Sequence, residues 1–192
     1  MKAWYFNQNN CRLRYDDNRI IKAGVTHKVD CEPVLCEQGL HGSKNVLDAL
    51  SYAPGSHIWR VELGGIVVED NDKTVATERT YLWGYDAADV LRHFARLCAL
   101  DVIHLWDAPD VVVRYLKTGD ESLRAAARAA AWDTAWDTAW AAAWDAAGDA
   151  ARAAAGAAAG DAAWAAAWAA AGAAARAWQN TLLLRMVKKE MI

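Results

Sequence analysis

Proline is scarce in this sequence, at three of 192 residues, and none follows Pro109. Nothing after that point is obliged to break a helix. No excess of basic charge exists either. The formal net charge is −3; residues 1–120 hold 14 Lys/Arg against 17 Asp/Glu, and residues 121–192 hold seven of each. The electrostatic footprint of a nucleic-acid binder is missing, so no nucleic-acid partner is expected. Long apolar runs are lacking as well. The longest uncharged stretch in the C-terminal repeat, Ala162–Ala175, has 14 residues and is bracketed by Asp161 and Arg176. A membrane span needs about 17–25 apolar residues, so no membrane association is expected.

Cysteine is limited to Cys11, Cys31, Cys36 and Cys98. The opening run Met1–Asn7 turns polar too soon for the apolar region of a secretion signal. Reduced thiols in a cytoplasmic protein are the expectation. No G-x-S-x-G, P-loop or dinucleotide fingerprint occurs, and no cofactor is expected.

What the chain has in abundance is alanine, arranged in a four-residue repeat. From Arg124 to Arg176 every fourth residue is Arg, Trp or Gly, and the residues between are nearly all Ala. Seven of the 11 Trp fall between 132 and 178: Trp132, Trp136, Trp140, Trp144, Trp164, Trp168 and Trp178. Alanine has the highest helix propensity, which predicts a long helix over about 120–188. As a single rod it would extend about 100 Å.

A strict period of four drifts about 40° per repeat around a helix. With Trp132 at zero, Trp136, Trp140 and Trp144 fall within about 120°, while Gly148, Arg152, Gly156 and Gly160 occupy the far side. Trp164 and Trp168 return to the first sector. Gly172 and Arg176 break the rule. Asp133, Asp137, Asp145 and Asp149 lie away from the Trp centre and read as a solvated face. Each Trp can bury on the order of 200 Å², and contiguous apolar surface of that extent marks an interface. The tail is therefore expected to pair with another copy, with a different protein, or with itself through a hairpin near Gly148–Gly160.

The N-terminal part, 1–118, reads as an α+β head: a small antiparallel sheet with helices, followed by the repeat helix over 119–192. Strands are predicted at Ala3–Phe6, Ile20–Val25, His57–Leu63, Ile66–Val68, Thr74–Thr77 and Thr80–Trp83, with Gly64 and Gly65 as a break. Ser43 or Asn45 is expected to cap a helix over Val46–Tyr52. Asp86 should cap a second, whose apolar stripe is Val90, Leu91, Phe94, Leu97, Cys98 and Val102. Asp107 should cap a third, and Thr118 with Glu121 has capping-box spacing for the start of the tail.

The runs Leu35–Ser43, Leu47–Leu50, Tyr52–Gly55 and Trp59–Leu63, with Lys73, Glu78, Arg79 and the Ala-rich tail, carry a resemblance. The chain resembles an uncharacterised family found in phage and bacterial genomes. Its members join a small C-E-x-G-L/F-H domain to Ala-rich repeats of varying length. A second, narrower likeness rests on Gly39-Leu40-His41, a helix carrying Ala49 and Tyr52, and the strand Ile58–Leu63. This order resembles the middle motif of ADP-ribosyltransferase-like folds. That likeness implies a nicotinamide pocket, with His41 in the motif and Glu78 as the catalytic acid. The opening His or Arg of such enzymes has no match near Trp4–Asn7.

Cys31, Cys36 and His41 are spaced by five and five, and thiolate and imidazole are zinc ligands. The usual short gap between paired Cys is missed and a fourth ligand is not evident. They read instead as a small buried Cys on a strand and a His that hydrogen-bonds a turn. His93 and His104 each have an Asp nearby, Asp89 or Asp101, but read as helix-surface residues; His27 and His57 show no evident partner. Glu69, Asp70 and Asp72 read as a solvated turn.

These features point to a non-enzymatic protein–protein interaction or self-assembly protein, plausibly phage-encoded, with the tail Trp residues as the association surface. The alternatives are a transferase-type head with the helix as docking arm, and an inhibitor laid along a host defence complex.

Overall fold

The computed structural model describes residues 1–131, apart from 9, 16 and 106, and residues 160–190, with 160–171 as backbone only and no side chain at 105. The chain divides into two compact units, Met1–Arg92 with Trp178–Ile192, and His93–Ala177.

The first unit is built on a five-stranded antiparallel sheet. The strands are β1 (Lys2–Asn7), β2 (Thr26–Lys28), β3 (Leu40–Gly42), β4 (His57–Glu69) and β5 (Thr74–Asp86), and the main order is β1-β4-β5-β2. β3 lies beside β2 along the same edge of β5, opposite Thr74–Ala76, while β2 lies opposite Glu78–Thr80. Just beyond β3, Ser43 exchanges two backbone hydrogen bonds with Trp4 of β1, at 2.7 and 2.9 Å. Strands β1, β4, β5 and β3 are thus joined in a closed circuit. Closure needs a close crossing, and Gly42 supplies it: a Cβ there would lie 3.1 Å from the Cβ of Ala3.

The pairing register sorts the side chains onto two faces, because paired residues share a side and neighbours alternate. Ala3 pairs with Val61 and Val61 with Tyr81, and these residues pack with Ile21, Trp59, Leu63 and Ala76 in one buried cluster. Trp4 pairs with Arg60 and Arg60 with Trp83, and Ile58 pairs with Tyr85; they form the opposite face. Helix α1 (Val46–Ser51) buries Val46 and Ala49.

The predicted break at Gly64 and Gly65 is a β-bulge inside one 13-residue strand. Gly65 adopts φ +68°, and the Ile66 N–H is taken up by the Thr77 hydroxyl at 3.0 Å. The predicted strand Ile20–Val25 does not form. Ile20 makes one isolated bridge, to Arg12, and Gly24 turns the chain with φ +82°, so regular pairing starts only at Thr26.

Helix α2 (Ala88–Asp101) begins where the Asp86 carboxylate accepts from the Ala88 N–H at 3.1 Å, as its position predicts. Val90 and Phe94 are buried, whereas Val102, expected in the same stripe, is exposed beyond the helix end. Helix α3 (Asp110–Thr118) is entered through Pro109 rather than Asp107 and ends on Gly119 at φ +68°. The expected Thr118–Glu121 capping box is replaced by Asp120, whose carboxylate accepts from the Ser122 N–H at 2.9 Å. Helix α4 spans 124–131. Helix α5 (Gly160–Lys189) completes the described chain.

The C-terminal turns of α5 belong to the sheet unit. Asn180, Leu183 and Val187 recur at helical spacing, and Leu183 and Val187 are fully buried. The Asn180 side-chain oxygen accepts from the Leu47 N–H at 3.2 Å, and the Val187 carbonyl accepts from the Tyr85 hydroxyl at 3.1 Å. α5 therefore seats on the face that carries Tyr85. None of the described helices is long and apolar enough to cross a membrane.

Candidate functional site

The family-like segment folds as a tight turn ahead of β3. Val34 bridges to Gln38, Cys36 adopts φ +67° and Gly39 φ +113°. A Cβ on Gly39 would sit 2.5 Å from Val75 Cγ2, so glycine is required twice over, by conformation and by space. The turn is tied by the Cys36 N–H, which donates to His41 Nε2 at 3.2 Å. Burial, and then the neighbouring Arg79 cation, lower the His41 pKa. His41 is thus held neutral, although the nearby Gly39 backbone favours its protonated form. This is the turn-bonding role read from the sequence.

The buried strand Cys expected from the sequence is not found: Cys31 is half-buried in a bend, and Cys36 lies exposed in the turn, where it receives a hydrogen bond from Lys73 Nζ at 2.7 Å. The Lys73 ammonium lies 5.1 Å from the ring centre of Tyr52, and the Tyr52 hydroxyl donates to Asp72 at 2.5 Å. The bond to Cys36 raises the Lys73 pKa, and the bond to Asp72 raises that of Tyr52. Cys36, His41, Tyr52 and Lys73, scattered over 38 positions of sequence, thus converge on one surface patch.

Glu78 stands elsewhere. It pairs with Lys28 of β2 at 2.6 Å, a half-exposed ion pair. His41 is paired with Val75, three residues before Glu78 on β5, a separation of about 10 Å along the strand. Cys31 and Glu78 line one open groove of about 560 Å³, with Lys28, Ile66 and Thr77. Among the described residues no three His, Cys, Asp or Glu side chains are grouped to hold a metal ion. All four cysteines are free thiols.

Inside the closed circuit lies a polar cluster that the sequence did not signal. Arg79 is buried at 2% exposure, and its guanidinium stands 3.7 Å from the ring centre of Tyr5. Its Nε donates to the Tyr81 hydroxyl at 2.9 Å and its Nη1 to the His41 carbonyl at 2.6 Å. His27 is also buried, with Nδ1 3.3 Å from the Tyr81 hydroxyl, and burial lowers its pKa. The aromatic faces of Tyr5 and Tyr81 and two oxygen acceptors stabilise the buried cation. Burial raises the Tyr81 pKa, so the phenol stays neutral.

Of the tail Trp residues, Trp132, Trp136, Trp140 and Trp144 lie outside the described residues. Trp164 and Trp168 are placed on α5 by backbone alone. Trp178 is 41% exposed, two residues ahead of Asn180, where the seated turns begin. Residues 172–177 of α5 are exposed too. Within the second unit, α3 and α4 flank a largely apolar groove of about 950 Å³, with Val112, Tyr115, Leu116 and Ala127 along it.

Residues 6–93 match the model of a family described as a domain of unknown function (DUF7666). The matched segment contains the Cys36–Lys73 patch, the Glu78 ion pair, and Arg79 with His27, His41 and Tyr81, though not Tyr5, so the likeness to an uncharacterised family holds for this part of the chain. No curated protein and no solved structure matches the chain.

Proposed function

We propose that the protein works by association, through a tail helix that pairs with a second copy of the same chain. The observation that carries this reading is the division of labour along α5. Its last turns bury Leu183 and Val187 against the sheet unit, while residues 172–178, Trp178 included, stay exposed. A repeat with Trp on one sector needs a cover of the same length, and another tail has that length. The small Ala between the Trp residues allow close helix approach. The tail is read as one long helix or a hairpin, and the apolar groove beside α3 adds to the surface open to a partner helix.

Multi-angle light scattering on the full chain tests this. A mass that is a whole multiple of the chain mass is expected, falling to that of one chain when Trp132, Trp136, Trp140 and Trp144 are changed to Ala. A monodisperse wild-type monomer overturns the reading.

A further inference from the structure

A thiol and an imidazole meet at a second place on the sheet unit, away from the Cys36 patch, with a carboxylate on the neighbouring strand acting on the imidazole through its charge. Cys11 Sγ lies 3.9 Å from both Nδ1 and Nε2 of His57. His57 opens β4, and its register partner on β5 is Asp86. We propose that Cys11, His57 and Asp86 form a nucleophilic thiol site that takes up an acyl group from an activated ester or thioester. This site is independent of the association surface on the tail.

Each member is held in place by its surroundings. The His57 ring stacks on Trp59, with centres 5.5 Å apart and planes 28° apart. Trp59 is itself fixed, because its indole N–H donates to the buried Asn7 side chain at 2.9 Å. The imidazole is therefore carried on a rigid aromatic platform. The Asp86 carboxylate accepts from the Ser56 hydroxyl at 2.5 Å and the Ala88 N–H at 3.1 Å, and these bonds lower its pKa. It is charged at neutral pH and its field favours a proton on His57. Burial outweighs that field and lowers the His57 pKa, so the ring is neutral and free to accept a proton.

Cys11 sits in a sharp local turn. Its φ is +51°, a conformation few non-glycine residues adopt, and its backbone is clamped by the Gln8 and Ile21 bonds at 3.1 and 2.8 Å. Such backbone strain clusters at functional positions. The thiol is half-buried. Sγ is equidistant from the two ring nitrogens and aligned with neither, so the imidazole must turn about its Cβ–Cγ bond, out of its stacked position on Trp59, before one nitrogen meets the S–H; catalytic bonds of this kind tighten when substrate binds.

In the acylation step His57 takes the thiol proton, and the sulfur attacks the acyl carbonyl carbon. A carbon–sulfur bond forms, the bond from carbon to the leaving oxygen or sulfur breaks, and the imidazolium returns its proton to the leaving group. The acyl group remains on Cys11 as a thioester, with no change of oxidation state.

The probe is p-nitrophenyl acetate, applied to the full chain. The expected result is a rapid phase releasing one nitrophenolate per chain, with the acetyl group mapped to Cys11 by peptide mass spectrometry. Cys11→Ser should abolish that phase. His57→Gln should slow it about 100-fold or more, the size of a general-base contribution. The same variant should lose the acidic limb that the His57 imidazole gives the pH profile. Two results overturn the proposal: acetyl spread over Cys31, Cys36, Cys98 or lysines with Cys11 unmodified, or a His57→Gln protein that keeps the wild-type rate and pH profile. Mapping on the wild-type chain needs no variant, so the site remains testable even if Cys11→Ser fails to fold.

Discussion

The Tyr85 hydroxyl on the last stretch of β5 donates to the backbone carbonyl of Val187, 102 residues further along the chain, at 3.1 Å. The bond fixes where the final turns of α5 meet the sheet. Burial, reinforced by the Glu190 carboxylate, pushes the Tyr85 pKa up to about 12. The contact should persist far into the alkaline range, and a spectrophotometric titration should show one tyrosine ionising about two units late. Tyr85→Phe removes a single neutral hydrogen bond and is expected to cost about 0.5–1.5 kcal/mol in urea unfolding. Leu183→Ala, at a fully buried position of the same helix, should cost more, about 2–5 kcal/mol. Equal effects from the two variants would mean that the apolar contact is not what seats the helix.

Gly84 of β5 lies directly across from Trp59. A Cβ at this position would run into the six-membered ring of the indole and come within 2.6 Å of the Ile58 carbonyl oxygen. Trp59 cannot yield, since its N–H is tied to Asn7 and its ring supports His57. Gly84→Ala is therefore expected to destabilise the sheet unit by about 1–3 kcal/mol or more through overpacking. Near-ultraviolet circular dichroism of Trp59 should change with it. A variant as stable as wild type would show that the strand can part from the indole at no cost.

The local elements were readable from sequence wherever a short-range signal sets them. Asn45 stands at the start of α1, though its side chain bonds Asp48 and caps no helix N–H, Asp86 caps α2, and apolar spacing places Leu183 and Val187 on one face of a C-terminal helix. What the sequence withheld depends on closure. Ser43 meets Trp4, Lys73 meets Cys36 and His57 meets Cys11 only because the strands join in a circuit, and no periodicity encodes a register across 39, 37 or 46 residues. Gly64 and Gly65 look like a strand end and act as a bulge, because their conformational freedom serves either purpose. Arg79, flanked by polar Glu78 and Thr80, looks like a surface residue. It is inside because the β5 register sets it across from buried Leu63.

The end of the tail is part of the head's core, and this bears on any dissection of the protein. A fragment ending at residue 118 lacks Leu183 and Val187, both fully buried in the sheet unit, and the bonds to Leu47 and Tyr85. It should unfold at lower urea than the full chain and bind an apolar dye through the uncovered face. A synthetic peptide of residues 178–192 should restore part of the loss. If fragment and full chain unfold at the same urea concentration, the seated turns contribute nothing. For the same reason association should be tested by Trp substitution rather than by deleting the tail.

Acid should weaken the sheet unit through His27 and His41. Burial is the main cause of the lowered pKa of each, and the Arg79 cation adds to it in both. The folded state therefore binds fewer protons than the unfolded state just below the ordinary histidine value of about 6.5. Their contribution is complete above that pH and is lost as pH falls toward the depressed folded values. Protonating His41 would also turn the acceptor of the Cys36 N–H into a donor and break the turn. Other groups bear on the same window. Asp17 counteracts the shift at His27, Arg19 and Lys73 add positive charge near His27 and His41 respectively, Tyr81 stays neutral throughout, and His57, also lowered by burial, adds a share of the acid loss that the double variant keeps. Urea midpoints measured from pH 7.5 to pH 5 should fall steadily. His27→Gln and His41→Gln, taken together, should flatten the decline even if they lower the starting stability. An undiminished slope in the double variant would place the acid sensitivity outside the Arg79 cluster.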